Sequence, residues 1–272
     1  MANALNSAPN DEGPQGGVTS EATNQHFARN FSGSCARVEF VALDPIEVFR
    51  TSRDVFVRLL AGGDLHLLDL PCGAGAASAT LLCLAAELRQ QGRLPRQPLR
   101  VAVLGGDLSA PALRIHRRLY WKLIPRLREF GILARSAVES WDVEDSDQTT
   151  ALLTRWVKRR PAHAGCAVIA ANFSGFLSHK VKDCRDQLRE ILRHAGIQRA
   201  EVLWIEPRTN SATEKLFPAW AKEVLPKVPK MRGTWGDKPR TAECLVVHPI
   251  QRRSQFTVRA AAMHLSPQGE AT

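Results

Sequence analysis

The sequence predicts an α/β fold in which a mostly parallel sheet lies between two layers of helices. Three observations lead to this prediction. Short apolar runs alternate five times with longer segments of helical periodicity between residues 65 and 207. A glycine-rich turn follows the first run, as it does in parallel sheets that bind nucleotide-like ligands. Two late apolar runs, joined by a basic turn over 251–254, predict an antiparallel hairpin at a sheet edge.

The first predicted strand and its turn are the centre of the fold, in the stretch LHLLDLPCGAGAA at 65–77. The apolar run suits a strand that is buried on both faces. Asp69 lies at the carboxyl end of that strand, where parallel sheets bind ligands. Gly73 and Gly75 let the backbone approach a ligand without an intervening Cβ, so the turn predicts a ligand site. An ordinary turn after a buried strand is the alternative.

The other elements follow in order. Asp44 and Pro45 are typical of a helix start, so a helix is expected from there to about residue 60, over one sheet face or as part of a ligand lid. Further helices are predicted over 76–88, 112–130, 148–160 and 178–194, and further strands over 99–104, 137–142, 166–171, 201–206, 243–248 and 256–263. Asp107 follows the second strand, where nucleotide-binding folds place an acid that accepts two O–H bonds from a ribose.

The helix predicted over 112–130 is strongly basic, and its first acid is Glu129. Its candidate contacts to nucleic acid are Arg114, Arg117, Arg118, Lys122 and Arg126. Tyr120 and Trp121 lie among these cations and favour contact with bases or with the phosphate backbone. A solvated helix face is the alternative. Pro125 is expected to kink or split the helix.

Composition limits the classes of partner and site. Lys and Arg number 37 against 27 Asp and Glu, and the net charge of +10 favours an acidic partner such as RNA or a ribonucleoprotein. A genome-wide bias in amino-acid composition is the alternative. The cysteines form no C-x-x-C pair, so neither a metal site nor a disulfide framework is predicted. No apolar stretch is long enough to span a membrane and no secretory signal is evident, so a cytoplasmic protein is expected.

Five βα units and a closing strand pair resemble the class I, Rossmann-like S-adenosylmethionine-dependent methyltransferase family over roughly residues 45 to 265. The resemblance is carried by LLDLPCGAGAAS (67–78) and VLGGDLS (103–109), then WDVED (141–145), AVIAANF (167–173) and the closing strands. It implies a three-layer αβα sandwich with a seven-stranded sheet in the order 3-2-1-4-5-7-6, the last strand antiparallel. It also implies S-adenosyl-L-methionine as the cofactor and S-adenosyl-L-homocysteine as the product.

The resemblance also implies a role for each matching residue. The methionine part of the cofactor would lie against Asp69, Pro71, Cys72, Gly73, Ala74 and Gly75. Asp107 would bind the ribose hydroxyls with Leu108 beside the adenine, and Asp142 would accept a hydrogen bond from the adenine amine with Val143 beside the ring. Asn172 and Phe173 would face the transferred methyl group and the substrate, and Asn172 would also contact the cofactor.

The sequence departs from the family pattern at Pro71, where many members have a small residue, and in the long run from Gly75 to Asp107. A nicotinamide dehydrogenase, the rival for a glycine turn of this kind, would have a glycine where Ser78 stands. After the fourth strand there is no Asn-Pro-Pro-aromatic run of an amine methyltransferase. Cys166 and Cys184 fit poorly as cytosine-C5 nucleophiles, and a buried thiol is the simpler interpretation of both.

Three functions remain open at this point. The first is an RNA methyltransferase, and the second is a small-molecule or protein methyltransferase whose substrate lies against apolar residues such as Phe173, Phe176 and Trp204. The third is a catalytically inactive cofactor-binding scaffold in a larger complex. The predicted organisation is a disordered tail over 1–25, a helical extension over 26–64, the methyltransferase domain over 65–265 and a disordered end over 266–272.

Overall fold

The computed structural model describes residue 17 and residues 19–180, 182–207, 231–235, 240–248 and 252–267. One sheet runs through these residues. Its strands are β1 (Gly63–Asp69), β2 (Leu99–Asp107), β3 (Ile132–Ser140), β4 (Gly165–Ala171), β5 (Glu201–Pro207), β6 (Met231–Trp235), β7 (Arg240–His248) and β8 (Arg252–Pro267).

Helices cover both faces of the sheet. They are α1 (Ser20–Leu43), α2 (Arg50–Leu60), α3 (Ala76–Gln90), α4 (Ala110–Arg128), α5 (Ser146–Lys158), α6 (Ser174–Lys180) and α7 (Arg185–Ile197). None of the helices in the described residues is both long enough and apolar enough to cross a lipid bilayer.

The strand order is β3-β2-β1-β4-β5-β8-β6, and β7 also pairs with β8. Strands β1 to β5 are parallel, whereas β8 is antiparallel to β5. Because β7 and β6 pair with successive parts of β8, on the edge away from β5, the two share one position in the sheet. The predicted fold class and the order 3-2-1-4-5-7-6 are therefore confirmed, with β6 as a strand that the sequence did not indicate.

The core has two apolar layers, one on each face of the sheet. Alternate residues of β1 supply both, since Leu65 and Leu67 join the layer under α1 to α4, and Leu68 joins the layer under α5 to α7. This alternation explains why β1 is a continuous apolar run, as a strand covered on both faces must be. His66 also points into the second layer, where its Nε2 donates to the Trp156 carbonyl at 2.6 Å.

The prediction that Asp44 begins a helix is wrong, because Asp44 ends α1. It adopts a left-handed conformation (φ 46°), and its N–H donates to the Phe40 carbonyl at 2.8 Å. Its carboxylate accepts the N–H groups of Val48 and Phe49 at 2.7 and 2.9 Å. These two bonds hold the turn that leads into α2, which begins at Arg50. An aspartate can cap the turn after a helix as well as the start of one, and the sequence pattern resembles both.

The predicted N-terminal tail ends too late. Helix α1 begins at Ser20, inside the span expected to be disordered, and Thr19 caps it by accepting the Ala22 N–H at 3.2 Å. The buried face of α1 includes small and polar residues such as Gln25 and Ser34, so it gives little apolar periodicity to detect. At the other end of the chain, β8 continues to Pro267, past the expected boundary at 265.

Three further expectations need correction. Helix α4 is not split at Pro125, because Ala110–Arg128 form one helix. The helix expected over 178–194 is two helices, α6 and α7. The basic turn of the closing hairpin is displaced, because residues 252–254 already belong to β8. The rest of that turn, most of the predicted basic segment 215–240 and residues 268–272 lie outside the described residues.

Candidate functional site

A cleft opens at the carboxyl ends of β1 to β4, on both sides of the point where the chain changes direction across the sheet. It encloses about 1070 Å³ of empty space, including its open mouth. Of the residues predicted for the cofactor and the methyl group, it is lined by Pro71, Cys72, Gly73, Ala74, Asp107, Leu108, Asp142, Val143, Asn172 and Phe173. We call this lining the strand-end wall. The opposite side, which we call the cover, is α1.

The two glycines of the β1 turn are required for different reasons. Both have positive φ, 49° at Gly73 and 87° at Gly75, where a side chain is strained. A Cβ added at Gly73 would meet no atom within 4 Å, and Gly73 faces the cleft. A Cβ added at Gly75 would lie 2.9 Å from Nδ1 of His116. Gly73 therefore keeps the backbone open to a ligand, whereas Gly75 makes room for a buried side chain.

Asp107 joins the first two loops of the strand-end wall. Its Oδ2 accepts the Gly73 N–H at 2.8 Å, and its Oδ1 accepts the Ser109 N–H at 2.8 Å. Burial raises the pKa of this carboxyl, and the two N–H bonds oppose that effect. A carboxylate oxygen can accept more than one hydrogen bond, so Asp107 retains capacity for two ribose hydroxyls.

The loops after β2 and β3 together add an apolar surface with a carboxylate at its edge. Leu108 is 44% exposed beside the cleft, and Val143 also lines it. Asp142 is fixed in place, since its Oδ1 accepts the Glu144 N–H at 2.9 Å and its own N–H donates to Gln148 at 3.0 Å. Apolar side chains beside a carboxylate acceptor suit a flat heterocycle that carries an amino group.

Asp69 and Gly75, which the resemblance places against the cofactor, do not line the cleft. Asp69 is fully buried behind the turn, where its Oδ2 accepts the Ser78 N–H at 3.3 Å. Its Oδ1 has no hydrogen-bond partner among the described residues. Burial raises the pKa of Asp69 to about 7. Asp69 thus supports the glycine turn from behind, since its carboxylate binds the first turn of α3.

His116, which the sequence did not single out, lies in the same buried layer as Asp69. Its Nε2 lies 3.0 Å from the Ser136 hydroxyl, and its ring stacks on Tyr120 at 4.6 Å. Burial lowers the pKa of His116 to about 4, so the imidazole is neutral at pH 7. Tyr120 is buried with it, so the interpretation that Tyr120 favours contact with bases or with the phosphate backbone is wrong.

Aromatic rings close the cleft at the end of β4. The Phe173 ring lies 6.1 Å from those of Trp141 and Phe176 and 6.2 Å from that of Trp204. The Phe173 N–H and the Trp204 indole N–H both donate to the buried Glu206 carboxylate, each at 2.7 Å. Glu206 therefore fixes the backbone of Phe173, and its neighbour Asn172 takes a left-handed conformation (φ 58°).

The cover spans the cleft from the end of β2 to the end of β4. At the β2 end, the hydroxyls of Thr23 and Ser109 both donate to the Gly17 carbonyl, at 2.9 and 2.8 Å. At the β4 end, Asn172 donates to the Ser34 hydroxyl at 3.1 Å and accepts from the guanidinium of Arg37 at 3.2 Å. These contacts hold α1 across the opening.

Sequence reasoning missed the lining residues of the cover. They are Thr23, His26, Phe27, Asn30, Phe31 and Ser34. Their spacing of three and four residues places them on one helix face, and this was the available signal. The signal is weak, because only two of the six, Phe27 and Phe31, are bulky apolar residues.

The five candidate nucleic-acid cations are all exposed on α4, outside the cleft. Arg114 donates to the Ser20 hydroxyl at 3.1 Å, which joins α4 to the start of the cover. Arg117 donates to the Val138 carbonyl at 3.2 Å. Trp121, the neighbour of Lys122 on the same helix, is 76% exposed.

The thiols are poor candidates for a nucleophile. Burial raises the pKa of Cys72 well above its ordinary value, that of Cys166 to about 11 and that of Cys184 to about 12. A thiol with so high a pKa carries little thiolate at pH 7. Within the described part of the chain, no three His, Cys, Asp or Glu side chains lie together as metal ligands would.

The strand order and the antiparallel last strand are those that the resemblance to class I methyltransferases implies. The chain has the class I methyltransferase fold. No protein-family model matches the sequence, and no curated protein matches it.

Among solved structures, the chain is similar to several methyltransferases. An rRNA methyltransferase from Streptomyces viridochromogenes is 16% identical, with 84% of this chain and 92% of that one covered and a TM-score of 0.38. A loganic acid methyltransferase with S-adenosylhomocysteine is 9% identical, with coverage of 90% and 96% and a TM-score of 0.39. A tRNA (uracil-54, C5)-methyltransferase from Pyrococcus abyssi, in complex with S-adenosylhomocysteine, is 9% identical, with coverage of 78% and 38% and a TM-score of 0.33. Similarity this low assigns neither a reaction nor an acceptor to this chain.

Proposed function

We propose that this protein is an S-adenosylmethionine-dependent methyltransferase whose acceptor is RNA. One observation carries the proposal of the cofactor: four loops that are far apart in the sequence line a single cleft, in the order that this cofactor requires. A turn of small residues is followed by a carboxylate, an apolar surface and a second carboxylate. That arrangement suits an amino acid, a ribose and an adenine in turn.

The residues present fit each part of the cofactor. The backbone at Gly73 and Ala74 faces open space and would hold the methionine part. Asp107 would accept the ribose hydroxyls while its bonds to Gly73 and Ser109 keep it in place. Leu108 and Val143 would flank the adenine, and Asp142 would accept from its amine. When bound, the cofactor supplies an electrophilic methyl group on a positively charged sulfur.

The remaining work of the protein is to position the acceptor and to exclude water. Phe173 and Phe176 form an apolar boundary at the β4 end, and Phe27 and Phe31 face the cleft from the cover. Asn172 is oriented by Ser34 and Arg37, so it borders the cleft in a fixed position. Methyl transfer from a sulfonium needs little acid–base assistance, and none of these side chains is arranged to move a proton.

The charge of the protein supports RNA as the acceptor. The chain carries a net charge of +10, and the exposed cations of α4 begin beside the cover, where Arg114 contacts Ser20. A polyanion that binds these cations would therefore lie next to the cleft.

A small-molecule acceptor is the second candidate. The aromatic cluster around Phe173 and the presence of α1 across the opening would suit a compact apolar acceptor. On this alternative the positive charge is unrelated to the reaction.

The cofactor is tested first by calorimetric titration with S-adenosylhomocysteine. We expect micromolar binding to the wild type and at least tenfold weaker binding to Asp107→Ala, which corresponds to about 1.4 kcal/mol. Asp107→Asn is the matched control, because it keeps one acceptor oxygen and should lose less than Asp107→Ala. If the wild type does not bind, the methyltransferase proposal fails.

The acceptor is tested next with a radiolabelled methyl group. Transfer to total RNA, abolished by ribonuclease pretreatment, is the expected result. Transfer to a nuclease-treated metabolite extract would instead support the small-molecule alternative. Cofactor binding without transfer to any acceptor would indicate the inactive scaffold.

A further inference from the structure

Trp121 is unlike every other tryptophan whose side chain is described. Trp141, Trp156 and Trp204 are at most 5% exposed, whereas Trp121 is 76% exposed on the outer face of α4. Exposing a large aromatic surface to water is unfavourable, and aromatic side chains are enriched where a protein binds a partner. The exposed indole is therefore a candidate contact for a partner.

The cations of α4 surround this ring. At 3.6 residues per turn, Arg114, Arg117, Arg118 and Arg128 all fall within about 60° of Trp121 on the helix surface. We call Trp121 and these four arginines the α4 stripe. At 1.5 Å per residue the stripe is about 21 Å long, with the indole at its middle. Lys122 and Arg126 lie outside the α4 stripe, about 100° and about 140° around the helix from Trp121.

The positive charge of the α4 stripe is not balanced locally. The helix from Ala110 to Arg128 contains no acidic residue. Among the residues that the structure describes, no carboxylate forms an ion pair with a cation of this helix. Elsewhere in the same described part, exposed arginines such as Arg50, Arg58 and Arg100 do pair with acids. The α4 stripe is thus complementary to a polyanion.

The stripe also leads to the cleft. The α4 residue Ala112 lines the cleft, and two residues later Arg114 contacts the start of the cover. Trp121 lies two helical turns further on, about 10 Å from Arg114 along the axis. An extended polyanion that follows the α4 stripe towards the amino end of α4 therefore reaches the mouth of the cleft.

We propose that the α4 stripe binds a single-stranded nucleic acid, with one base stacked on Trp121 and phosphates on the flanking arginines. An indole offers a flat surface on which any base can stack, and arginines bind phosphate oxygens. This inference rests on the proposed RNA acceptor for its purpose, but it concerns binding alone and can be tested without turnover. Ribose and deoxyribose strands share the chemistry used here.

The test is the anisotropy of a labelled 12-nucleotide RNA of mixed sequence, titrated with full-length protein at several salt concentrations. We expect Trp121→Ala to weaken binding at least fivefold, and Trp121→Phe to stay within twofold of the wild type because it keeps a stacking ring. Arg118→Ala should weaken binding and reduce the slope of log K against log salt by about 0.7. DNA of the same sequence, in a parallel titration, identifies which of the two strands binds more tightly.

Two matched controls separate the α4 stripe from general surface effects. Leu245→Ala removes an apolar side chain that is 75% exposed on β7, and Lys158→Ala removes an exposed cation on the opposite helical layer. Both should bind the RNA within twofold of the wild type. Each variant is also unfolded in urea, and an unchanged midpoint shows that the fold is intact.

Four results would overturn the inference: no RNA binding by the wild type at 50 mM salt, Trp121→Ala within twofold of the wild type, equal losses in Trp121→Ala and Leu245→Ala, or binding of a polyglutamate peptide that RNA does not displace. The two proposals can fail separately. S-adenosylhomocysteine binding without RNA binding removes the α4 stripe and leaves the proposed cofactor. RNA binding that depends on Trp121, without cofactor binding, leaves the stripe and removes the methyltransferase.

Discussion

The strand-end wall of the cleft and its cover are held by different kinds of bond. In the wall, the Asp107 and Asp142 carboxylates accept main-chain N–H groups at 2.8 to 2.9 Å, next to the strands from which they come. The cover instead meets the wall mainly through side chains, as where Arg37 and Ser34 contact Asn172. The wall is thus continuous with the sheet, whereas the cover is joined to the wall by contacts between segments that are far apart in the chain.

The first prediction compares the two glycines of the wall, and its expected effect is the largest. Gly75→Ala places a Cβ 2.9 Å from the buried His116. Residue 75 also has a left-handed backbone conformation, so both backbone strain and overpacking oppose folding. We expect its free energy of unfolding to fall by about 2–5 kcal/mol. Gly73→Ala has the backbone strain but no clash with a neighbouring side chain, so its free energy of unfolding should fall by only about 1–2 kcal/mol. Urea unfolding measures both.

Binding should rank the same two variants in the opposite way. The Cβ of Gly73→Ala enters the cleft, so its affinity for S-adenosylhomocysteine should fall at least tenfold. Gly75→Ala, measured below its melting temperature, should lose less affinity. Equal losses of affinity would mean that the turn acts as one rigid unit and that the two glycines have no separate roles.

How much could be predicted from the sequence differs between the wall and the cover. The wall could be predicted because its loops follow predicted strands and carry local signals, such as the glycines before α3 or Asp107 after β2. The cover could not, because its position depends on contacts between distant segments. The Arg37 bond to Asn172, for example, joins residues 135 apart in the chain.

Two expectations are wrong because position in the sequence alone does not determine which way a side chain faces. Asp69 lies at a strand end, as predicted, but whether a side chain there faces the cleft or the core depends on the strand's alternation. The structure turns it into the core, against the first turn of α3. Tyr120 and Trp121 are adjacent in sequence, yet one is buried beside His116 and the other exposed, because neighbouring helical residues lie about 100° apart.

The second prediction concerns the buried support of the wall and its pH dependence. The pKa of Asp69 is raised by burial to about 7 in the folded protein, well above its ordinary value of 3.8. Between these pH values the folded protein holds a proton that the unfolded chain releases, so this group's stabilisation falls as pH rises. Relative to Asp69→Asn, the wild type should lose roughly 2–3 kcal/mol between pH 5 and pH 7.5.

His116 provides a control of opposite sign. Its pKa is lowered by burial to about 4, so between pH 4 and 6.5 the unfolded chain holds a proton that the folded protein does not. Relative to His116→Gln, the wild type should therefore become more stable as pH rises through this range. Urea unfolding of each variant and of the wild type at pH 5 and pH 7.5 measures the two differences in stability. Two differences of the same sign would contradict the assignment of the buried charges.

The third prediction tests whether the cover is held by side chains. Arg37 is buried, and one of its N–H groups donates to Asn172. Arg37→Ala and Asn172→Gly should each weaken S-adenosylhomocysteine binding severalfold, and a double-mutant cycle should give a coupling of about 1–2 kcal/mol. Glycine is chosen at 172 because it tolerates the positive φ. Additive losses would show that the two residues act independently.

The fourth prediction has the smallest expected effect and concerns the other end of the cover. Thr23→Val removes a buried hydroxyl with little change of shape, but the Gly17 carbonyl keeps the bond from Ser109 at 2.8 Å. No acceptor is left unsatisfied, so we expect a loss of less than about 1 kcal/mol. Hydrogen exchange should become faster in the first turns of α1 and stay unchanged in α3. Faster exchange along the whole of α1 would mean that the cover opens as one unit from this end, and that the bonds of Arg37 and Ser34 do not hold the far end by themselves.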